Sequence, residues 1–243
     1  YYYYYILPIL LKNSHLVICI SENTKRDVIS YYKVKEKSIH VIYPGFDKQE
    51  FYPRQERIGQ NPCGIRKYLL FIGDMRPYKN LERVLEAFAR LNLGDIKLVI
   101  GGKKDPRFYP RIEKKIDKLF LKDRVVLLDY VPQKDLPYLY SGAGAFVFPS
   151  LYEGFGLPPL EAMACGCPVV VSNAASLPEV CGDAAYYVDP YDVESIAEGM
   201  YEVLTDETLR QDLVRKGLER VKCFSCEKSA REHLKVFEEV LNS

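Results

Sequence analysis

Six apolar runs constrain this chain more than any other feature: KYLLFIG (67–73), IKLVIGG (96–102), RVVLLDYV (124–131), GAFVFPS (144–150), CPVVVSN (167–173) and AAYYVDP (184–190). Each is continuous rather than alternating, as strands buried on both faces of a parallel sheet are. Helical patterns separate them. LERVLEAFARL places Leu81, Val84, Leu85, Phe88 and Leu91 on one stripe. Further helices are expected at about 107–120, 134–142, 157–165, 193–204, 206–222 and 227–241. Strand–helix alternation with short connections predicts an α/β fold, doubly wound around a parallel sheet. Ahead of this block, LVICI (16–20) and IHVIYP (39–44) read as strands. SENTKRDVISYY between them reads as a helix capped by Ser21, and NPCG (61–64) as a turn.

Composition narrows the function classes. The 243 residues carry 34 Lys+Arg against 33 Asp+Glu, so there is no electrostatic case for nucleic acid. The densest basic stretch, RFYPRIEKKIDKLFLKDR, has Ile112, Ile116, Leu119 and Phe120 at helical spacing, which makes its lysines the wet face of an amphipathic helix. Of the seven cysteines, Cys165 and Cys167 sit in an apolar run and read as buried, reduced thiols. Cys223 and Cys226 form a CxxC, but a helical pattern precedes the pair and the three histidines are far off in sequence, which disfavours redox and zinc roles. No run reaches the ~18–20 apolar residues of a membrane helix. YYYYYILPILL holds a proline and lacks a basic flank, so it reads as neither signal peptide nor span. The chain opens without Met inside what reads as an element, and the expectation is a piece of a longer protein.

In a doubly wound sheet, ligands bind beyond the carboxyl ends of the strands. Here those ends read GDMRPYKN, GGKKD, DYVPQKD, PSLYEGFG and SNAAS. The stretch SLYEGFGLPPLEAMACGCPVVVS is the most informative. Gly154 and Gly156 permit unusual dihedrals, and Pro158 and Pro159 suit a first helical turn. The amides of Phe155, Gly156 and Leu157 then face the cleft from a helix N-terminus, an arrangement suited to an anion. Glu153 and Glu161 flank it. Two carboxylates are poor partners for an anion and good acceptors for hydroxyls, so a ligand with both phosphates and hydroxyls fits. The residues alone leave open that both glutamates merely face solvent. Arg76 and Lys79, after a strand end, are candidate cations for a diphosphate, and Lys103 and Lys104 weaker ones.

Taken in order, SENTKRDV, VIYPGFD with FYP, FIGDMRPYKNLERVLEAF, LVIGG, the run from VVLLDYVPQKDL through PSLYEGFGLPPLEAMACGCPVVVSNAASLPEV to AAYYVDP, and FSCEKSA resemble the group 1 (family 4) retaining glycosyltransferases of GT-B architecture, across most of residues 16 to 240. Glu153 and Glu161 match that family's E-x7-E motif. The resemblance implies the Rossmann-like C-terminal half of a GT-B fold. Residues 1–42 would be a remnant of the N-terminal acceptor domain, 43–225 the nucleotide-sugar-binding domain, and 226–243 a terminal helix crossing back. It also implies roles: Glu153 on the donor sugar's hydroxyls, Glu161 on the ribose, and Gly154, Phe155, Gly156 and Leu157 on the sugar and distal phosphate. Gly73 and Lys79 would lie along the diphosphate, and the backbone around Tyr130 and Val131 under the base.

The implied reaction moves a sugar, of mannose or glucose type, from a UDP- or GDP-linked donor to an acceptor hydroxyl with retention. No cofactor or metal is implied, and nothing in the sequence offers an acidic cluster for a divalent ion. The acceptor would be a sugar or a lipid-linked sugar in polysaccharide biosynthesis. The location would be cytoplasmic, with any peripheral contact at the inner membrane face belonging to the half not in the chain. SNAASLPEV is similar to mannosyltransferase-like members. Three departures qualify the match. Asp74 stands where the family has arginine, so Arg76 is expected to substitute. Cys226 stands where an aromatic is common, and packing is expected to absorb the change. The N-terminal domain is almost wholly missing, and His15, His40 and His233 do not match the histidine it usually brings. Rival readings are an epimerase or phosphorylase on the same architecture, and a non-catalytic donor-binding module.

Overall fold

The computed structural model describes residues 2–54, 63–65 and 67–242, so Asn61 and Pro62 of the expected NPCG turn lie outside the described residues. The chain divides into two compact units: residues 1–47 with 224–243, and residues 48–223.

The first unit opens with a π-helical turn, Tyr2–Ile6, and α1 (Leu7–Asn13). A parallel β–α–β follows: β1 (Val17–Cys19), α2 (Glu22–Tyr32) and β2 (Ile39–Val41). Ser21 caps α2 as expected, its Oγ accepting from the Thr24 amide at 2.9 Å.

In the second unit, all six apolar runs become strands of one parallel sheet, each trimmed to its central residues. In chain order the elements are β3 (Tyr68–Ile72), α3 (Leu81–Arg90), β4 (Lys97–Gly101), α4 (Tyr109–Lys118), β5 (Val125–Leu128), α5 (Leu136–Gly142), β6 (Ala145–Phe148), α6 (Leu157–Ala164), β7 (Val169–Ser172), α7 (Leu177–Cys181), β8 (Tyr186–Val188), α8 (Val193–Thr205) and α9 (Glu207–Arg220). The short α7 is a helix that the apolar pattern does not announce. Spatial order is β5-β4-β3-β6-β7-β8. From β3 the chain winds outward to β5, then returns to β6 on the other side, so the order reverses between β3 and β6. Leu69, Leu70 and Phe71 of β3, and Phe146, Val147 and Phe148 of β6, have no solvent exposure, which explains the continuous apolar runs.

The amphipathic helix ends earlier than its pattern. Ile112 and Ile116 are buried, but Phe120 is 91% exposed at φ 55°. The Leu121 amide reaches back to the Ile116 carbonyl at 3.0 Å, so Leu121 rather than Phe120 returns to the core. Cys165, Cys167 and Cys181 are buried thiols, and burial pushes Cys165 up to about 12. The last helix, α10 (Cys226–Leu241), belongs to the first unit. There a Cβ on Gly45 would fall 2.1 Å from the Cys226 backbone nitrogen, so only glycine fits. Cys226 itself is exposed, with Sγ 3.6 Å from the Phe46 carbonyl oxygen. Tyr43 and Phe224 pack edge to face at 5.9 Å nearby.

Asn80 frames the reversal point. It takes a left-handed conformation, φ 65°, between the single 3-10 turn Pro77–Lys79 and α3, a conformation that asparagine tolerates better than most residues. Its buried amide donates to the Pro149 carbonyl at 2.9 Å and to the Pro190 carbonyl at 2.6 Å, and its Oδ1 accepts from Arg83 at 2.9 Å. Asn80→Ala leaves two carbonyls without their donor and keeps a positive φ that alanine tolerates less well than asparagine. We expect a loss of about 2–4 kcal/mol, read as a lower urea midpoint at unchanged slope.

Candidate active site

Strands β3 and β6 pair at only two positions, Leu69 with Ala145 and Leu70 with Phe146, whereas β3 and β4 pair at five. The ladder therefore stops early, and the segments after β3 and β6 face each other across the opening. The Leu151 amide donates to the Tyr78 carbonyl at 2.7 Å, which ties the two segments together. Across this gap Lys79 Nζ meets Glu153 Oε1 at 2.7 Å. The side chains are 13% and 12% exposed, so the pair is largely withdrawn from water. Lys79 Nζ also lies 4.8 Å from the centroid of the Phe148 ring and 5.3 Å from that of Tyr78. Beneath its stem is Gly73, where a Cβ would come within 3.8 Å of Lys79 Cδ.

The glycine turn then sets the start of α6. Gly156 has φ 116°, and a Cβ there would fall 2.7 Å from Leu177 Cδ2, so both dihedral and space demand glycine. The buried Ser176 hydroxyl lies 2.9 Å from the Glu153 carbonyl oxygen and 2.7 Å from that of Phe155, and its proton anchors the turn from the start of α7. Phe155 is buried, whereas Leu157 is 36% exposed. The α6 N-terminus, with the positive end of its dipole, thus opens beside Glu153.

Glu161 stands one turn further along α6. Its Oε2 accepts from the hydroxyl of the wholly buried Tyr140 at 3.2 Å. Burial pushes the Glu161 carboxyl up to about 7; the Tyr140 hydrogen bond works against the shift, and the Glu50 carboxylate adds to it. Glu50 is itself held by the Gln133 side-chain amide.

The remaining expected residues are dispersed around this core. Arg76 is half-exposed and turns to Asp74, with Nε 3.4 Å from Oδ2, so the residue that displaced the family arginine is also the partner of its expected substitute. Tyr130 is 73% exposed, and Val131 packs its methyl groups against Gly101, where a Cβ would fall 2.8 Å from Val131 Cγ2. Lys103 and Lys104 are exposed, the Lys104 amide bonding Asp129 Oδ1 at 3.1 Å. Asn80, Ser176, Tyr140 and Glu50 escaped the sequence reading. Only Asn80, a left-handed former just ahead of a helix, carried a local signal. Among the described residues no cluster of three or more His, Cys, Asp or Glu is arranged to hold a metal ion, and no helix is long and apolar enough to cross a membrane.

Two outcomes test this geometry. Removing either member of the withdrawn ion pair leaves the other unpaired, so Lys79→Met and Glu153→Gln should each destabilise, and the double variant by less than their sum. The coupling expected from chemical denaturation is about 1–3 kcal/mol. For Glu161, the folded carboxyl titrates near 7 and an unfolded one near 4.5. The folded form therefore holds its proton more tightly, and its stabilising contribution is present at low pH and lost as pH rises through about 7. Glu161→Gln removes that loss. We expect the variant to exceed the parent by about 1–3 kcal/mol at pH 8, with the gap closing toward pH 5; unfolding curves across that range read it out.

The family described as "Glycosyl transferases group 1" matches residues 54–220, and "Glycosyltransferase Family 4" matches residues 1–50. O-antigen chain mannosyltransferase B of Escherichia coli is 40% identical over 238 residues, covering 93% of this chain and 61% of the relative. Sucrose-phosphate synthase from Thermosynechococcus elongatus superposes with a TM-score of 0.87 at 26% identity, over 98% of this chain and 61% of that one. The C-terminal domain of a glycosyl transferase group 1 family protein (LpcC) from Francisella tularensis gives 0.66 at 28% identity, over 74% of this chain and 97% of that one. The chain thus spans about three fifths of the length of the curated relative and of the synthase. These matches, the order-reversing parallel sheet and the Glu153–Glu161 segment at its opening agree, and the chain belongs to the group 1 glycosyl transferases, with a GT-B fold.

Proposed function

We propose that this chain is the nucleotide-sugar-binding part of a retaining hexosyltransferase that moves a mannose-type sugar from a nucleotide-diphosphate donor to an acceptor hydroxyl. The observation that carries the reading is the Lys79–Glu153 contact of 2.7 Å at the opening between β3 and β6, beside the α6 N-terminus. In the free site the two charges satisfy each other. A sugar diphosphate offers a better partner to both: phosphate oxygens for Lys79 and the α6 N-terminus, sugar hydroxyls for Glu153. Glu161 accepts from the ribose, and the base rests along the backbone at Tyr130 and Val131. Arg76 reaches the diphosphate only by leaving Asp74.

During transfer the sugar C1–O bond to the diphosphate breaks, and its electron pair stays on the phosphate oxygen. The acceptor oxygen bonds C1 on the same face, and its proton passes to the departing phosphate. Lys79 and the α6 N-terminus stabilise the charge that develops on that phosphate, without a metal ion. We assign residues 43–225 to the donor domain, 1–42 to a part of the acceptor domain, and 226–243 to the helix that rejoins it. The mannose assignment is supported by the 40% identical relative, a mannosyltransferase by name. The O-antigen chain named for the same relative supports polysaccharide assembly as the setting; the acceptor in this reading is a sugar or lipid-linked, at the cytoplasmic membrane face.

A thermal-shift panel of GDP-mannose, UDP-glucose and ADP-glucose tests the donor first, because a ligand bound only by the folded form raises the unfolding temperature. GDP-mannose should give the largest rise, and Lys79→Met should abolish it. Transfer by the intact protein should survive EDTA and yield the donor's own anomer by NMR. No shift with any nucleotide sugar would sink the reading, and shift without transfer would leave a binding module.

A further inference from the structure

Tyr140 has no solvent exposure, and α5 gives it no freedom to leave. Its ring stands edge-on to Phe146 at 5.3 Å and tilted against Phe51 at 6.3 Å. A phenol buried this deeply needs a hydrogen-bond partner, and it has one in Glu161 Oε2 at 3.2 Å. Burial pushes the Tyr140 hydroxyl well above its ordinary range, so it keeps its proton and donates. One oxygen of Glu161 is therefore engaged, and the other accepts no hydrogen bond from the described residues. The charged or titratable groups that bear on this carboxylate are Tyr140 from α5, Glu50 from the segment before β3, and the neutral thiol of Cys165 at the end of its own helix.

We propose that Tyr140 is a positioning residue for the donor nucleotide: its hydroxyl holds Glu161 in one orientation, with a single carboxylate oxygen left for a ribose hydroxyl. A glutamate on a helix otherwise samples several rotamers, and binding would have to freeze them. The rigid ring wedged between Phe51 and Phe146 does that beforehand. The same hydrogen bond favours the ionised carboxylate, so Tyr140 also sets the pH at which Glu161 becomes an acceptor. The inference rests on Glu161 being the ribose acceptor, and the test separates the two.

Tyr140→Phe keeps the ring and its packing while deleting the hydroxyl. The measurement is steady-state kinetics of the intact protein with GDP-mannose, or with UDP-glucose if the panel selects it, and with the 2′,3′-dideoxyribose analogue of that donor. We expect the variant to raise KM for the hydroxylated donor about five- to tenfold, with the loss in KM rather than kcat. The acidic limb of kcat/KM should move to higher pH. On the dideoxy donor, the parent and the variant should have equal KM. An unchanged KM and pH profile, or an equal penalty on the dideoxy donor, would overturn the positioning role. Glu161→Gln, measured alongside, should also raise KM; if it does not, the ribose reading of Glu161 falls as well, whereas an impaired Glu161→Gln beside an unaffected Tyr140→Phe removes Tyr140 alone.

Discussion

The side chain of Asn80 ties together the strand-end segments on which the candidate site is built. Its amide bonds the carbonyls of Pro149 and Pro190, so the segments that leave β3, β6 and β8 are held against one another. Parallel strands end in loops that have no ladder to align them. A ligand site at those ends needs another source of order, and a buried amide with two carbonyl partners supplies it. The left-handed backbone at Asn80 starts α3 and leaves Lys79 just before it, pointing its ammonium at Glu153. Sheet topology puts the opening between β3 and β6, and the Asn80 amide and the Leu151–Tyr78 backbone bond tie its two sides together.

Within that frame the site is arranged so that few charges are left unpaired. Lys79 and Glu153 neutralise each other while largely hidden from water, and the rings of Phe148 and Tyr78 line the ammonium. Such a pair adds little net stability over an apolar substitute, but it keeps a cation and a carboxylate ready in a place where neither would stand alone. Glu161 is a different case. Its carboxyl is buried against a tyrosine and in the field of another glutamate, and folding disfavours its charge. A carboxyl whose charge folding disfavours lowers stability above neutral pH, and this cost is what the proposed role in donor binding would account for.

Much of the architecture was legible along the chain. The six apolar runs named the six strands, and Ser21 named its cap, because burial on both faces and helix capping are local requirements that leave local patterns. The Glu153–Glu161 segment was legible too, since its glycines and prolines encode a turn into a helix. Phe120 misled: it continues the helical spacing, but it is the residue at which the backbone turns left-handed and carries Leu121 inward instead.

The sequence alone determined which segments are strands and helices, and which turn could face an anion. Tertiary structure decided which of these turns meet. The reversal of strand order between β3 and β6 brings together Lys79 and Glu153, 74 positions apart. The packing of α5 on α6 brings Tyr140 to Glu161, and the same packing turns an ordinary glutamate into one that titrates near neutrality. Local patterns encode what each residue's own backbone and face require. Proximity and desolvation are properties of neighbours, and only folding assigns those.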